Sequence, residues 1–333
     1  MKNTTAKSTP EIQVRKYTPQ DRSAWDNFIN QAKNATFLFQ RRFMEYHSDR
    51  FEDLSLLVLK NNKLVALLPA NCSGDICYSH QGLSYGGLVL TKKAKFKESL
   101  DYFKAVLTFL AAEGISILQL KLLPKIYHSL PAEELEYLLF LTEAKCVRTD
   151  ISSTIDLNSP IKIQSNRLEG VKKAQKNRLT IEEGTNFEVF WNEILIPNLQ
   201  ERHGALPVHS LDEITQLTNY FPENIVQFNV FKGDKIVAGA TIFETEQVAH
   251  VQYISANAQK QQLGSLDFLF HELITQRYRH KRYFDFGISN TNQGKNVNEG
   301  LLYWKECFGA RSTVHQFYSI ETSKYSNLEN VFI

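Results

Sequence analysis

Two stretches, KNNKLVA at Lys60–Ala66 and KGDKIVA at Lys232–Ala238, share the pattern Lys-x-x-Lys-aliphatic-Val-Ala. Each joins two apolar runs, LSLLVLK to KLVALLPA and IVQFNVFK to KIVAGATIF, so each predicts a β-hairpin with a two-residue tip, Asn-Asn or Gly-Asp. The elements downstream of the two hairpins match as well. After the first hairpin come strands near Ile76–Ser79 and Leu83–Leu90, a helix through SLDYFKAVLTFLAAEG, a strand ISILQL, a helix PAEELEYLLFL and a strand CVRTDISSTIDL. After the second come a strand QVAHVQYIS, a helix GSLDFLFHELITQRY, a strand YFDFGIS, a helix NEGLLYWKECFG and a strand RSTVHQFYSI. In the second series Leu266, Phe268, Leu269, Phe270, Leu273 and Ile274 make an apolar stripe near helical period. Chance accounts for one short motif far more readily than for the same order of elements around it. The chain therefore reads as a duplication, two related α/β domains with mixed sheets, divided near Ser159–Pro160 into 1–160 and 161–333.

Composition narrows the function classes. A formal net charge of +2 with 22% charged residues excludes a generally basic nucleic-acid binder and a disordered chain. Any polyanion must meet a local patch. The opening MKNTTAKSTP is polar, with no signal-peptide core, and no later run reaches the roughly 18 apolar residues of a membrane span, so a cytoplasmic protein is expected. Cys72, Cys77, Cys146 and Cys307 lack zinc-ligand spacing, which points to free thiols and no metal.

The order hairpin, strand, helix, strand, helix, strand, with a polar turn after the third strand, resembles the GNAT acyltransferase fold. Its tandem form is similar to the Fem-type aminoacyl transferases and their acyltransferase relatives, often linked to bacterial envelope and polysaccharide assembly. The likeness is carried by HVQYISANAQKQQLGSLDFLFHELI, FDFGIS and NEGLLYWKECFGA, with VKKAQKNRL at the entry to the second domain. The resemblance implies that the strand HVQYIS splays from its neighbour, so that Gln252, Tyr253, Ile254 and Ser255 bind an extended acyl-donor arm. It also implies a phosphate-binding loop over Gln259 to Ser265, with Gln261, Gly264 and Ser265 at the start of a helix whose dipole favours an anion. Leu266 stands where the family pattern has a small residue. The first half has no such loop, which leaves it a structural or acceptor-binding role.

Acyl transfer to an amine needs a proton acceptor and donors for the developing oxyanion. His250, in an apolar strand, is either a base or a hydrogen-bonded core residue. Asp285, between Phe284 and Phe286, is a base with a raised pKa, or a carboxylate that pairs with Arg or caps a loop. Many GNAT proteins carry a general-acid tyrosine four residues before the terminal glycine of the last helix. Here Lys305 occupies that spacing before Gly309, and is read as an anion-binding residue or a solvated helix lysine. In the polar turn, Ser289 and Asn298 are candidate substrate contacts, with Asn298 suited to cap the next helix. Lys162–Arg178, which includes Lys173 and Arg178, is a phosphate-binding or simply solvated basic helix. Arg202 and His203, in a turn-rich segment, are further acceptor-site candidates.

The leading expectation is an N-acyltransferase that moves an acyl group from acyl-CoA, most simply acetyl-CoA, to an amino group of a sugar-nucleotide or cell-envelope precursor. Its expected partners are a small-molecule donor and an amine acceptor, and the chain is expected to be a monomer or homodimer. One alternative exchanges the donor for aminoacyl-tRNA. Another is a non-catalytic binding protein on the same scaffold, which Leu266 supports.

Overall fold

The structure, a computed structural model, describes residues 11–333 apart from the His203 side chain; the polar opening MKNTTAKSTP lies outside the described residues. Two compact units make up the chain, Met1–Arg148 with Gln316–Ile333, and Thr149–His315. This differs from the expected division at residue 160, because the last strand of each repeat passes from one unit into the other.

In the first unit, β1 (Ile12–Lys16), α1 (Arg22–Gln31) and the hairpin β2 (Leu56–Lys60)/β3 (Lys63–Leu68) precede β4 (Asn71–Ser73), β5 (Ile76–Tyr78) and β6 (Val89–Leu90). Then come α2 (Phe96–Ala112), β7 (Ile117–Lys121), α3 (Glu134–Leu141) and β8 (Lys145–Asp156), which enters the second unit at Thr149. Strands β1, β2, β3 and β6 form one antiparallel sheet in that order. Strand β5 pairs in parallel with β7, whose other edge takes Phe317–Glu321 antiparallel. Of the expected strand near Leu83–Leu90 only Val89–Leu90 forms. The residues before it turn beside β7, where the Gly86 amide donates to Lys121 O at 2.6 Å.

The second unit contains α4 (Ser165–Lys176), β9 (Leu179–Gly184), α5 (Ile196–His203), α6 (Leu211–Tyr220) and the hairpin β10 (Ile225–Lys232)/β11 (Lys235–Glu244). After these come β12 (Val248–Ala256), α7 (Lys260–Leu263), α8 (Ser265–Glu272), β13 (Tyr283–Ile288), the short hairpin β14 (Asn290–Thr291)/β15 (Asn296–Val297), α9 (Glu299–Glu306) and β16 (Arg311–Glu321). The sheet runs β9-β10-β11-β12-β13-β8, antiparallel except for the β12/β13 pair.

The duplication holds at single-residue level. Lys60 pairs with Lys63 and Lys232 with Lys235 at the mouths of the two hairpin turns. In both hairpins the register slips once, leaving Val65 in one and Val237 in the other without an opposite residue. Asn61 and Asn62 both take positive φ, 50° and 63°, as a tight hairpin turn matching the twist of its strands requires. The stripe on α8 works as expected: Leu269, Phe270, Leu273 and Ile274 are buried with Phe228, Ala240 and Phe284, and Leu266 and Phe268 pack at the margin. In the first unit Phe103, Val106, Leu107 and Leu110 of α2 cover Leu56, Val58, Ala66 and Leu68.

A polar knot interrupts that first-unit core. His80 is buried and stacks on His47 at 5.4 Å, and its Nδ1 accepts from the Gly82 amide at 3.1 Å. Burial, helped by His47, pushes its pKa down to about 3. The unfolded chain takes up this proton near the ordinary histidine value, and the fold resists it until about pH 3. The stability carried by the neutral ring is thus complete above about pH 6.5 and is lost as pH falls through that window. His80→Gln should make the decline in unfolding free energy over that range shallower by about 1.4 kcal/mol per pH unit in denaturant titrations. Equal slopes for the two proteins would contradict this reading.

Candidate active site

Strands β12 and β13 pair over three positions, Val248↔Tyr283, Ala249↔Phe284 and His250↔Asp285, and then part. Strand β12 runs on to Ala256, still paired with β11 on its other side. Past His250 its edge toward β13 has no ladder, and this is the expected splay. Two local irregularities produce it. The β11/β12 register slips between Thr241 and Ile242, leaving Gln252 as an extra residue that bends β12. The β13/β8 register slips between Asp285 and Ile288, and Gly287 turns the chain there with φ +73°. A Cβ at Gly287 would stand 3.3 Å from His250 Cε1, so the turn lies against the histidine.

At the apex of this fork His250 Nδ1 donates to Asp285 Oδ2 at 2.8 Å. Asp285 also accepts from Ser152 Oγ at 2.6 Å, Thr154 Oγ1 at 3.0 Å and the Gly287 amide at 3.2 Å. Ser152 and Thr154 alternate along β8 and so share one face. Burial alone would raise the Asp285 pKa, but the His250 hydrogen bond and charge, with Ser152 and Gly287, outweigh it and hold the carboxyl at about 2. That is opposite to the raised value expected of a base. An ionised carboxylate only accepts, which fixes a proton on His250 Nδ1 and makes Nε2 the ring nitrogen that can accept when the imidazole is neutral. The imidazole is 22% exposed and the carboxylate 5%, so the ring is the member that solvent reaches.

Lys305 on α9 is not a solvated lysine. It is 3% exposed, and its Nζ donates to Gly287 O at 2.9 Å and Ile288 O at 2.8 Å, tying α9 to the turned end of β13. Burial pushes its pKa down to about 8 against the attraction of Asp285. His250, Asp285 and Lys305 are therefore one cluster, joined through Gly287.

The expected phosphate loop takes another form. Lys260–Leu263 coils into a helical turn, so the Leu263 and Gly264 amides donate to Gln259 O and Lys260 O, both at 2.9 Å, rather than standing free. Helix α4 crosses directly over the start of α8. A Cβ on Gly264 would lie 2.0 Å from Gly170 O, and one on Gly170 would lie 2.0 Å from Asp267 Oδ2. Asp267, in the first turn of α8, accepts from Arg167 Nη1 at 2.8 Å and Trp304 Nε1 at 3.1 Å. A carboxylate and a covering helix thus occupy the place where a pyrophosphate would meet the helix dipole. Ser265 is buried here with no hydrogen-bond partner for its hydroxyl, while Gln261 is exposed.

The remaining candidates divide between support and surface. Tyr253 is bonded through its hydroxyl to His209 N at 3.1 Å and Nδ1 at 2.6 Å, and burial pushes its pKa up to about 12. Ser255 accepts from Asn198 Nδ2 at 2.8 Å; both residues hold β12 in place. Gln252 and Ile254 are half-buried. Ser289 is buried with an unpartnered hydroxyl, whereas Asn298 is committed to capping α9 through Leu301 N at 3.0 Å. The amide-rich turn folds on itself: Asn290 Oδ1 accepts from Ile151 N at 2.5 Å, and Asn292 donates to Asn296 at 3.0 Å. Lys173, Arg178 and Arg202 are exposed, and His203 falls outside the described side chains. Sequence reasoning missed Ser152, Thr154, Asn198 and Asp267; the run of hydroxyls in DISSTIDL was the available signal for the first two.

No family model matches the chain, and no curated protein sequence matches it. Solved structures do. FemX aligns over 95% of this chain and 99% of its own at 10% identity, with a TM-score of 0.65. L-PGS from Bacillus licheniformis aligns over 92% and 93% at 12% identity, with a TM-score of 0.54. A tandem GNAT protein from the clavulanic acid biosynthesis pathway aligns over 94% and 99% at 10% identity, with a TM-score of 0.52. The fold is accordingly a tandem GNAT fold of the Fem type, with mixed α/β sheets.

The helix crossing gives a direct test. Gly264 has φ +67° and no room for a Cβ, so Gly264→Ala should destabilise the protein by about 2–4 kcal/mol, read as a lower denaturant midpoint at unchanged slope. A wild-type midpoint would mean that α4 does not sit on α8.

Proposed function

We propose that the unit Thr149–His315 is an acyltransferase site that joins an activated acyl group to an amine. The supporting observation is the fork, a sheet that stops pairing at His250↔Asp285 with a histidine–carboxylate pair at its apex and a buried lysine beside it. The donor's arm lies along the unpaired edge of β12. The neutral amine attacks the acyl carbonyl, a C–N bond forms, and the amine proton passes to His250 Nε2 while Asp285 stabilises the imidazolium. The bond from the acyl carbon to the carrier's oxygen or sulfur then breaks, and the carrier departs with that proton on the same atom. Lys305 has three N–H donors, two of them engaged by carbonyls, and the third serves the developing oxyanion or an anionic group of a substrate.

For the donor, aminoacyl-tRNA is favoured over acyl-CoA. Two of the amides that would cradle a pyrophosphate, those of Leu263 and Gly264, are used inside α7, and Asp267 opposes an anion at α8. Exposed Lys172, Lys173 and Lys176 on α4, with Lys260 and Arg202 nearby, instead supply side-chain cations to a phosphate backbone. The acceptor class is an amine of a cell-envelope precursor. The fold likeness to FemX supports that class, and the likeness to the C-terminal domain of a putative lysylphosphatidylglycerol synthetase from Agrobacterium fabrum, TM-score 0.53, supports an envelope acceptor without bearing on its amine.

Filter retention of charged tRNA, lost steeply with salt, together with no calorimetric binding of acetyl-CoA, is the expected result. Micromolar acetyl-CoA binding would overturn the donor assignment, and binding of neither would leave a scaffold without catalysis. In a transfer assay His250→Ala should lower kcat/KM by about 10²–10⁴-fold. The wild-type rate should fall as pH rises through about 8, where Lys305 loses its proton, and Lys305→Met should remove that limb.

A further inference from the structure

The first unit carries a feature that the acyl-transfer site does not use. Helix α3, Glu134–Leu141, carries Glu134 and Glu136 in its first turn and is otherwise apolar: Leu135, Leu138 and Leu139 face the core, yet Tyr137 is 49% exposed and Phe140 74% exposed. Two large rings on the outward side of so short a helix leave apolar surface in water. Its outward rings continue in a contiguous row. Tyr137 stacks near Phe140 at 6.1 Å, Phe96 meets Tyr137 edge-on at 5.4 Å, and Phe332, itself 52% exposed, meets Phe96 at 6.0 Å.

Cations border this row. The segment TKKAKFK leads into α2 and exposes Lys92, Lys93, Lys95 and Lys97 around Phe96. Lys97 Nζ sits 5.1 Å from the Phe332 ring. Lys92, Lys93 and Lys95 form no ion pair among the described residues. Most nearby carboxylates are already engaged: Glu98 with Lys60, Asp101 with Lys97, Glu133 with Lys125, Glu143 with Lys324 and Glu329 with Lys104, while half-buried Glu136 on α3 forms no ion pair among the described residues. The patch therefore combines exposed aromatic rings with the three unpaired lysines Lys92, Lys93 and Lys95 against the one carboxylate of Glu136.

We propose that this aromatic–lysine patch docks the protein on an anionic lipid bilayer surface, the rings entering the headgroup boundary and the lysines pairing with lipid phosphates and carboxylates. Membrane-surface affinity scales with apolar area plus attraction to anionic lipids, and the patch supplies both. Tyr and Phe beside Lys also suit a boundary that is wet on one side and apolar on the other. A second copy of the chain fits less well. A two-fold contact through the patch would set one lysine run against another, and three exposed rings fall short of the about 800 Å² a side that stable interfaces bury. No helix among the described residues is long and apolar enough to cross a membrane, so the contact is with the surface.

The test is co-sedimentation of the full chain with vesicles of phosphatidylcholine alone and with about 30 mol% phosphatidylserine added. The protein should pellet with the anionic vesicles, remain in solution with the neutral ones, and be released by salt. The double variant Tyr137→Ser/Phe140→Ser should lower the partition coefficient about tenfold or more. The triple variant Lys92→Gln/Lys93→Gln/Lys95→Gln should do so by a similar factor and lose the salt dependence. All five side chains are exposed, so thermal melts like that of the wild type should accompany both losses. A wild-type protein that pellets with neither vesicle overturns the proposal, as does undiminished binding by both variants. A dimer in sedimentation equilibrium that Tyr137→Ser/Phe140→Ser dissociates also overturns it, by assigning the patch to a second copy.

Discussion

The buried carboxylate of Asp285 is the interaction on which the second unit's chemistry turns. Placing an ionised group 4% exposed in an apolar sheet is costly unless every lone pair is met. Here a serine, a threonine, a backbone amide and an imidazole meet it, and they come from two neighbouring strands and the turn at Gly287. The arrangement of these partners dictates local geometry: β8 must present two hydroxyls on one face, β13 must bend at Gly287 to offer its amide, and His250 must stand opposite Asp285. That bend is also where β12 and β13 stop pairing. One carboxylate thereby accounts for both the fork and the tautomer of the histidine at its apex.

Lys305 extends the same logic. Its ammonium takes up the carbonyls of Gly287 and Ile288 at the bend, so α9 is fastened where the sheet opens. Burial leaves this lysine close to losing its proton near neutral pH, whereas a surface lysine would not. The fork is thus framed by an imidazole oriented by a carboxylate and by a buried ammonium.

Much of this was legible in the sequence. The repeated Lys-x-x-Lys-aliphatic-Val-Ala motif carried both hairpins and their two-residue tips, because turn chemistry is local, whereas the bulge that the two share at Val65 and Val237 was not read from it. His250, Asp285 and Lys305 could be named from the likeness of the strands and helix around them. Their roles could not. Whether a carboxyl in an apolar strand has a raised or lowered pKa depends on what faces it, and Ser152 lies 133 residues away in the chain. The passage of β8 and β16 from one compact unit into the other is equally long-range. The phosphate loop shows the reverse case: Gln261 and Gly264 fit a short pattern, but Gly170, on a helix outside that pattern, decides what space remains above them.

The central claim is that β12 offers an unpaired edge to a donor beyond His250. Amide hydrogen exchange along this strand tests it most directly. Alternate amides between Val251 and Ser255 should exchange rapidly in the free protein, while their β11-facing neighbours stay protected, and should slow when charged tRNA is added. Uniform protection along the strand without any ligand would contradict the account.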